Sequence, residues 1–238
     1  GTAHRTGHRR PELVVVTQEI KLVVIDYDSG NLRSVSKALE SVGVNHIVTA
    51  DPDLIESAEA VVFPGVGSAP SAMAALKSRN LVQPLREYVA SGRPFLGVCL
   101  GLQLLMDRTE EGDAECLGIV PGQAKRLTAE NPDGGLKVPH MGWNSVRFTD
   151  SHPVFAGIPQ DSYFYFVHSY YAVLEHSVGL AGITNYGVDF CSVYAKGNLV
   201  ATQFHPEKSG PVGVSIYKNF AALAIKSLGT GQRIAAEN

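Results

Sequence analysis

"GVCLGLQLL" (97–105) follows directly from the apolar run "RPFLG" and sets a cysteine, Cys99, between two glycines. A cysteine that only fills core volume does not need a glycine two residues away on each side. One held on a tight bend between a strand and a helix does, because glycine tolerates the close backbone approach that such a bend demands. "RPFLGVC" (93–99) therefore reads as a buried strand, and the residues after Cys99 as the start of a helix.

The chain upstream repeats that pattern. "KLVVID" (21–26), "VNHIVT" (44–49) and "AEAVVFPG" (58–65) are short runs rich in β-branched residues. Between them, "NLRSVSKALESVG" (31–43) places Leu32, Val35, Leu39 and Val42 at helical spacing and stops at Gly43. "SAMAALKS" and "LVQPLREYVASG" supply further helices. Strands alternating with helices imply right-handed crossovers, and so an α/β fold with an open, mainly parallel sheet and helices on both faces. After about Gly118 the pattern changes. "WNSVRF", "SYFYFVHSYYAV", "VGLAGITNYG", "DFCSVYAKGN" and "LVATQF" alternate between turn residues, as mixed or antiparallel strands do, before "GVSIYKNFAALAIKSL" restores a helix.

Composition is consistent with one such domain of 238 residues. The expected organisation is an N-terminal extension or tag remnant over 1–20, a domain over 21–228 and a tail over 229–238. A net charge of -3 gives no electrostatic reason to expect nucleic acid or an anionic membrane. No apolar run approaches the roughly 20 residues of a membrane span. Three cysteines without CxxC spacing suggest neither a disulfide framework nor a zinc site. A reducing cytoplasm fits this cysteine usage, and no cofactor or metal is expected.

In open α/β sheets, ligands bind beyond the carboxyl ends of the parallel strands. The segments Tyr27–Asn31, Pro64–Ser68 and Cys99–Gly101 each follow a strand end, so they should share one crevice. G-x-C-x-G is the thiol counterpart of a nucleophile elbow. The helix beginning there favours a thiolate, and the amide of Leu100 is aimed at an oxyanion formed beside the sulfur. A nucleophile needs a base, and the base an orienting group. "QFHPEKS" (203–209) offers His205 and Glu207 on one side of an extended segment, with Pro206 favouring extension at His205. Read alone, this could be an ordinary surface turn. Beside an elbow cysteine it reads as the base and acid of a triad.

"GVCLGLQLL" and "QFHPEKS" together resemble the motifs of the class I (triad) glutamine amidotransferases, in that family's order, over almost all of Lys21 to Leu228. The resemblance implies that Cys99 is the nucleophile, His205 the acid/base and Glu207 its orienter, releasing ammonia from glutamine through a thioester. "PGVG" (64–67), "PHMGWN" (139–144) and "DYDSGNL" (26–32) resemble one branch, the glutaminase subunits of imidazole glycerol phosphate synthase, although Asp28 stands where the usual form has glycine. It implies an oxyanion hole of Val66, Gly67 and Leu100, and glutamine binding by Gly65, Gly67, Gln103, Ser169 and Tyr170. His168 is expected to be structural. The glycines around Val66 allow its peptide plane to rotate, so that the hole could be completed only in an active conformation.

The implied partner is a (βα)8-barrel cyclase in a heterodimer, docked on Asn31, Met141, Trp143, Tyr165 and Lys208, with ammonia passing through the barrel. Free ammonia in water becomes ammonium and loses its nucleophilic lone pair. Three alternatives stay open: a sister amidotransferase serving anthranilate, aminodeoxychorismate or purine synthesis; a stand-alone γ-glutamyl hydrolase or cysteine peptidase; or a binding module that keeps the elbow for packing. Cys116 and Cys191 are expected to be inert packing residues.

Overall fold

The structure is a computed structural model that describes residues 20–28, 30–128 and 136–236. The expected extension thus lies almost wholly outside the described residues. In chain order the strands are β1 (Leu22–Ile25), β2 (His46–Thr49), β3 (Ala60–Gly65), β4 (Phe95–Cys99), β5 (Arg108–Thr109), β6 (Ala114–Glu115), β7 (Gly122–Arg126), β8 (His140–Phe148), β9 (Ser162–His168), β10 (Tyr170–Leu174), β11 (Leu180–Asn185), β12 (Asp189–Lys196) and β13 (Leu199–Thr202). The helices are α1 (Leu32–Ser41), α2 (Pro52–Glu56), α3 (Ala69–Ser78), α4 (Val82–Ala90), α5 (Leu100–Leu104) and α6 (Gly210–Ala236).

The strand order β2-β1-β3-β4-β13 is parallel throughout. From β13 the sheet continues antiparallel through β12, β10 and β7. The hairpin β8–β9 hangs from it through β11. The parallel strands β1, β3 and β4 are apolar at every position because both of their faces are covered. Val23, Ile25, Val61 and Phe63 pack with α2, α3 and α4, through Ile55, Met73, Leu76 and Leu85. Leu22, Val24, Ala60 and Val62 pack on the other side with α1 and α6, through Val35, Leu39, Ile216 and Phe220. The α/β reading with helices on both faces therefore holds.

Several details depart from the sequence pattern. "SYFYFVHSYYAV" is two strands rather than one: the chain leaves β8 at His168 and joins β7 and β12 from Tyr170 onward. The Ser169 carbonyl at the break accepts the Leu127 N–H at 2.8 Å. Strands β5 to β7 are short and polar, and carry little apolar periodicity. Helix α2 has one turn, started by Asp51, whose carboxylate accepts the Asp53 N–H at 2.9 Å with Pro52 next to it. Helix α6 continues past Leu228 to Ala236.

Candidate active site

Cys99 is the last residue of β4 and caps α5, with φ 55° and ψ -107°. Few residues other than glycine adopt such a φ, and it is this bend that lifts the side chain out of the strand. The flanking glycines have a packing reason. A Cβ on Gly101 would overlap the Phe63 carbonyl oxygen of β3, and one on Gly97 would lie 3.2 Å from the Gly101 carbonyl. The elbow has no room for a side chain at 101 and only a tight fit for one at 97.

β3 delivers the "PGVG" segment to the same place, since Gly65 pairs directly with Cys99 across the parallel register. The Tyr27 hydroxyl donates to the Pro64 carbonyl at 2.9 Å. A Cβ on Gly65 would overlap that hydroxyl and would come within 2.8 Å of the Leu100 Cβ. Gly67 has φ 94°. A Cβ on Gly30 would lie 3.1 Å from a Val66 methyl, so the loop after β1 lies against "PGVG". Two of the three strand-end segments, at 64–68 and 99–101, line one cavity, while the loop after β1 packs behind "PGVG" and does not line it.

His205 follows β13 and is tied at both ends. Its N–H donates to the Tyr165 carbonyl at 2.9 Å, and its carbonyl accepts the Ser209 hydroxyl at 2.6 Å. Ser209 also accepts the Tyr165 N–H at 2.9 Å. The segment is not extended throughout. His205 is, but Pro206–Lys208 form a turn of 3-10 helix. It is this turn, rather than strand alternation, that brings the Glu207 carboxylate back to the ring. His205 Nδ1 lies 2.7 Å from Glu207 Oε1, and the two side chains are 1% and 0% exposed.

Glu207 takes two further donors that the sequence reading did not assign to it. The Asn31 amide donates to Oε1, and the Tyr217 hydroxyl donates to Oε2 at 3.1 Å. Asn31, expected on a docking face, thus faces the acid. Burial alone would push the Glu207 carboxyl up, but the His205 hydrogen bond and charge, with help from Asn31, hold it below its ordinary range. For His205 burial favours the neutral ring. The neighbouring Cys99 sulfur and the bond to Glu207 outweigh burial and raise the imidazole to about 10. Its other nitrogen, Nε2, is buried and makes no hydrogen bond among the described residues.

A cavity of about 320 Å³ opens on the sulfur, lined by Val66, Gly67, Leu100, Gln103, Ser169 and Tyr170 among others. The Gln103 amide donates to the Tyr170 carbonyl at 2.8 Å and to Gln203 Oε1 at 3.2 Å. Gln203 in turn points its own amide at Cys99 Sγ, 3.7 Å away. Glu111 also lines the cavity and caps α3, its Oε2 accepting the Ala69 N–H at 2.7 Å. Sequence reasoning missed both Gln203 and Glu111. Gln203 is the polar start of "QFHPEKS", where an inward amide on an apolar strand is itself a signal. Glu111 sits in an acidic stretch, "TEEGD", with nothing to single it out.

His168, expected to be structural, belongs to a buried hydrogen-bond network whose bonding fixes the tautomers. Its Nδ1–H donates to the Tyr170 carbonyl at 2.9 Å, so its neutral Nε2 must accept from His140 Nδ1, also 2.9 Å away. His140 Nε2 is then left to accept from the Asn144 amide at 3.3 Å. Burial lowers His140 to about 4 and His168 to about 3. Cys116 and Cys191 are buried free thiols, pushed up by burial to about 11 and about 12, as suits inert packing.

On the outer face of β8 and β9, Met141 is 62% and Trp143 56% exposed. The Trp143 and Tyr165 rings meet edge to face at 6.2 Å. Lys208 is exposed at the end of the His-Pro-Glu turn, and Tyr163, not anticipated, extends the apolar face. No helix among the described residues is long and apolar enough to cross a membrane.

Residues 23–223 match the family model for glutamine amidotransferase class-I. Imidazole glycerol phosphate synthase subunit HisH of Dehalococcoides mccartyi is 48% identical over 205 residues, covering 86% of this chain and 98% of that protein. The HisH subunit of Geobacter sulfurreducens is 46% identical over 206 residues, covering 85% and 99%. Among solved structures, the glutaminase domain of Trypanosoma brucei CTPS, with bound acivicin, superposes with a TM-score of 0.61 at 16% identity, covering 87% of this chain and 94% of that one. A glutamine amidotransferase from Thermotoga maritima gives 0.59 at 15%, covering 90% and 86%. Those two likenesses concern the fold alone. A matching family model over most of the chain and near-half identity along whole relatives leave one conclusion: the chain belongs to the class-I glutamine amidotransferases and, within them, to the imidazole glycerol phosphate synthase subunit HisH family.

Proposed function

We propose that the chain is the glutaminase subunit of an imidazole glycerol phosphate synthase and hydrolyses glutamine with Cys99, His205 and Glu207. The observation that carries the chemistry is that the sulfur of a cysteine on a strand-to-helix bend lies close enough to His205 to favour its charged ring, while that ring's Nδ1 sits 2.7 Å from the buried Glu207 carboxylate.

The Cys99 thiolate attacks the glutamine side-chain carbonyl, giving a tetrahedral oxyanion. We assign its donors to the amides of Leu100 and of Val66 or Gly67, residues that line the cavity at the sulfur. His205 gives its proton to the departing nitrogen, ammonia leaves, and a thioester remains. Water activated by His205 then hydrolyses the thioester to glutamate and frees the sulfur. Glu207 holds the ring and offsets its charge during both proton transfers. The substrate's amino-acid end fits the cavity beside Gln103, Ser169 and Tyr170, where the carboxylate of Glu111 suits an ammonium group. The "PGVG" peptide is the element free to rotate, and its rotation would couple the oxyanion hole to the partner's state.

The partner is a (βα)8-barrel cyclase, docked on Met141, Trp143, Tyr165 and Lys208, with the ammonia passing to it under cover from water. Tyr165 connects this face to the triad, since its carbonyl holds the His205 N–H. The cytoplasm is the compartment that suits such an enzyme.

The test is glutamine hydrolysis by the purified chain, alone and with the cyclase and its nucleotide ligand. Near-idle turnover alone and strong activation by both together is the expected result. Full activity in isolation, unchanged by the cyclase, would instead fit a stand-alone hydrolase.

A further inference from the structure

Tyr217 lies on α6, ten residues beyond the acid of the triad, and its side chain is fully buried. Its sequence context, "GVSIYKNF", reads as an ordinary core position. In the structure its ring packs in the core with Ile216 and Phe220, but its hydroxyl ends on Glu207 Oε2 at 3.1 Å. The other carboxylate oxygen, Oε1, takes His205 and Asn31. Each oxygen of a carboxylate with no solvent access is therefore supplied with a donor; Tyr217 is the side-chain donor on the second, and the backbone N–H of Glu207 itself adds to the set.

The reach of α6 to this point depends on Gly213, one turn earlier on the same face. A Cβ there would overlap the Pro206 carbonyl oxygen and come within 2.5 Å of the Ser209 Cβ. The first turn of α6 thus lies directly on the His-Pro-Glu turn, and Tyr217 arrives underneath it.

We propose that Tyr217 is a positioning residue for glutamine hydrolysis: its phenol fixes the Glu207 carboxylate so that Oε1 faces His205 Nδ1. This rests on the triad reading above. A carboxylate with a donor on one oxygen only can rotate, and the imidazole it holds rotates with it. The hydroxyl donates, because a carboxylate only accepts, and burial together with the Glu207 charge keeps the phenol protonated well beyond its ordinary range. The titratable groups facing Glu207 are His205 and Tyr217, with Cys99 and His168 beyond the imidazole.

Tyr217→Phe keeps the ring and removes the donor. In the complex with the cyclase, kcat for glutamine hydrolysis should fall about tenfold with KM within about twofold, since a buried hydrogen bond to a charged group is lost but no substrate contact is. The acid limb of the pH–rate profile should move up by about half a unit to one unit, because the ionised carboxylate has lost a donor. The pH profile of Cys99 alkylation by iodoacetamide, read on the chain alone, should shift the same way. A purely packing role would leave both limbs in place. If Tyr217→Phe does not fold, 3-fluorotyrosine at this position decides: a stronger donor of nearly the same shape should move the acid limb down. Limbs unmoved in the variants that fold would overturn the proposal. Cys99→Ala is the parallel control. Hydrolysis that survived it would defeat the triad reading itself, whereas loss in Cys99→Ala with no effect at Tyr217 would defeat only this inference.

Discussion

Gly65 lies directly opposite Cys99 in the register of two parallel strands, β3 and β4. This pairing fixes the position of "PGVG" beside the thiol. The fit leaves no room for a side chain, because a Cβ at 65 would collide with the Tyr27 hydroxyl and crowd Leu100. Gly101, on the next turn, is closed off by the Phe63 carbonyl of the same strand. We expect Gly101→Ala to destabilise the fold by about 3 kcal/mol, since backbone must move to accommodate it. Gly65→Ala must move Leu100 Cβ at the start of α5 as well as the Tyr27 hydroxyl, so it should cost both stability and activity. Denaturant midpoints with intact slopes, set beside glutaminase rates, would check both. A Gly101→Ala protein as stable as wild type would contradict the elbow packing.

Within the triad the roles are unequal. Cys99→Ala should reduce glutamine hydrolysis to background. Glu207→Gln should leave a residue of activity, with kcat down by about 10³- to 10⁴-fold, because the oxyanion donors and the cavity persist while the ring loses its fixed tautomer. Steady-state kinetics on the complex would measure this. Equal losses in the two variants would argue that Glu207 does more than orient the ring.

Acid stability should be governed by the pair His140 and His168. Their folded values, about 4 and about 3, lie below the ordinary 6.5. On unfolding near pH 5 each therefore takes up a proton, and stability falls as pH drops from about 6.5 towards 4. His205 acts in the opposite direction. Raised to about 10, it contributes stability that is whole below 6.5 and lost as pH climbs through 10. Glu207, held below its ordinary value, contributes stability above the carboxylate range and loses it in acid. Urea denaturation at a series of pH values should show about two extra protons bound by the unfolded chain near pH 5. The same uptake in a His140→Gln, His168→Gln double variant would refute the assignment.

Asp28 shows what sequence pattern alone conveys. Its departure from the usual glycine is visible in the sequence, but its meaning is not, because the reason is a backbone angle: φ is 68°. The Asp26 carboxylate accepts the Asp28 N–H at 3.0 Å on one side of the loop, while Arg79, just past α3, pairs with the Asp28 carboxylate on the other. An exposed pair of this kind contributes about 0–1 kcal/mol, close to what the strained φ costs. Asp28→Gly should therefore shift stability by less than about 1 kcal/mol, whereas Asp28→Val, whose branched side chain resists that φ, should lose more. Thermal midpoints of the two would separate strain from charge.

Elements with long periodic runs were legible in the sequence: β1, β3, β4 and α1 stand where the apolar pattern puts them. So were the two ends of the reactive pair, because glycines around a cysteine and a proline between His and Glu are local signals. What could not be read depends on contacts distant in sequence. Asn31 on Glu207 spans 176 positions, and Gln203 on Cys99 spans 104. Tyr217 was disguised as a core aromatic, since its ring packs there and only its hydroxyl reaches the acid. The break at Ser169 was hidden because aromatic and β-branched residues continue across it, while the pairing partners change.

The outer face of β8 and β9 gives the last expectation. Trp143 is more than half exposed, with Tyr165 against its edge and Met141 two residues away on the same side of the strand. A tryptophan left in this position gains its burial only from a partner. Trp143→Ala should weaken association with the cyclase by about 2 kcal/mol or more, a Kd at least about thirtyfold higher. It should leave the alkylation rate of Cys99 in the free chain unchanged, because Trp143 is not among the residues that line the cavity at the sulfur. Titration calorimetry supplies the first number and thiol labelling the second. Unaltered affinity would move the docking surface elsewhere, and altered labelling would show that the hairpin supports the fold rather than the assembly.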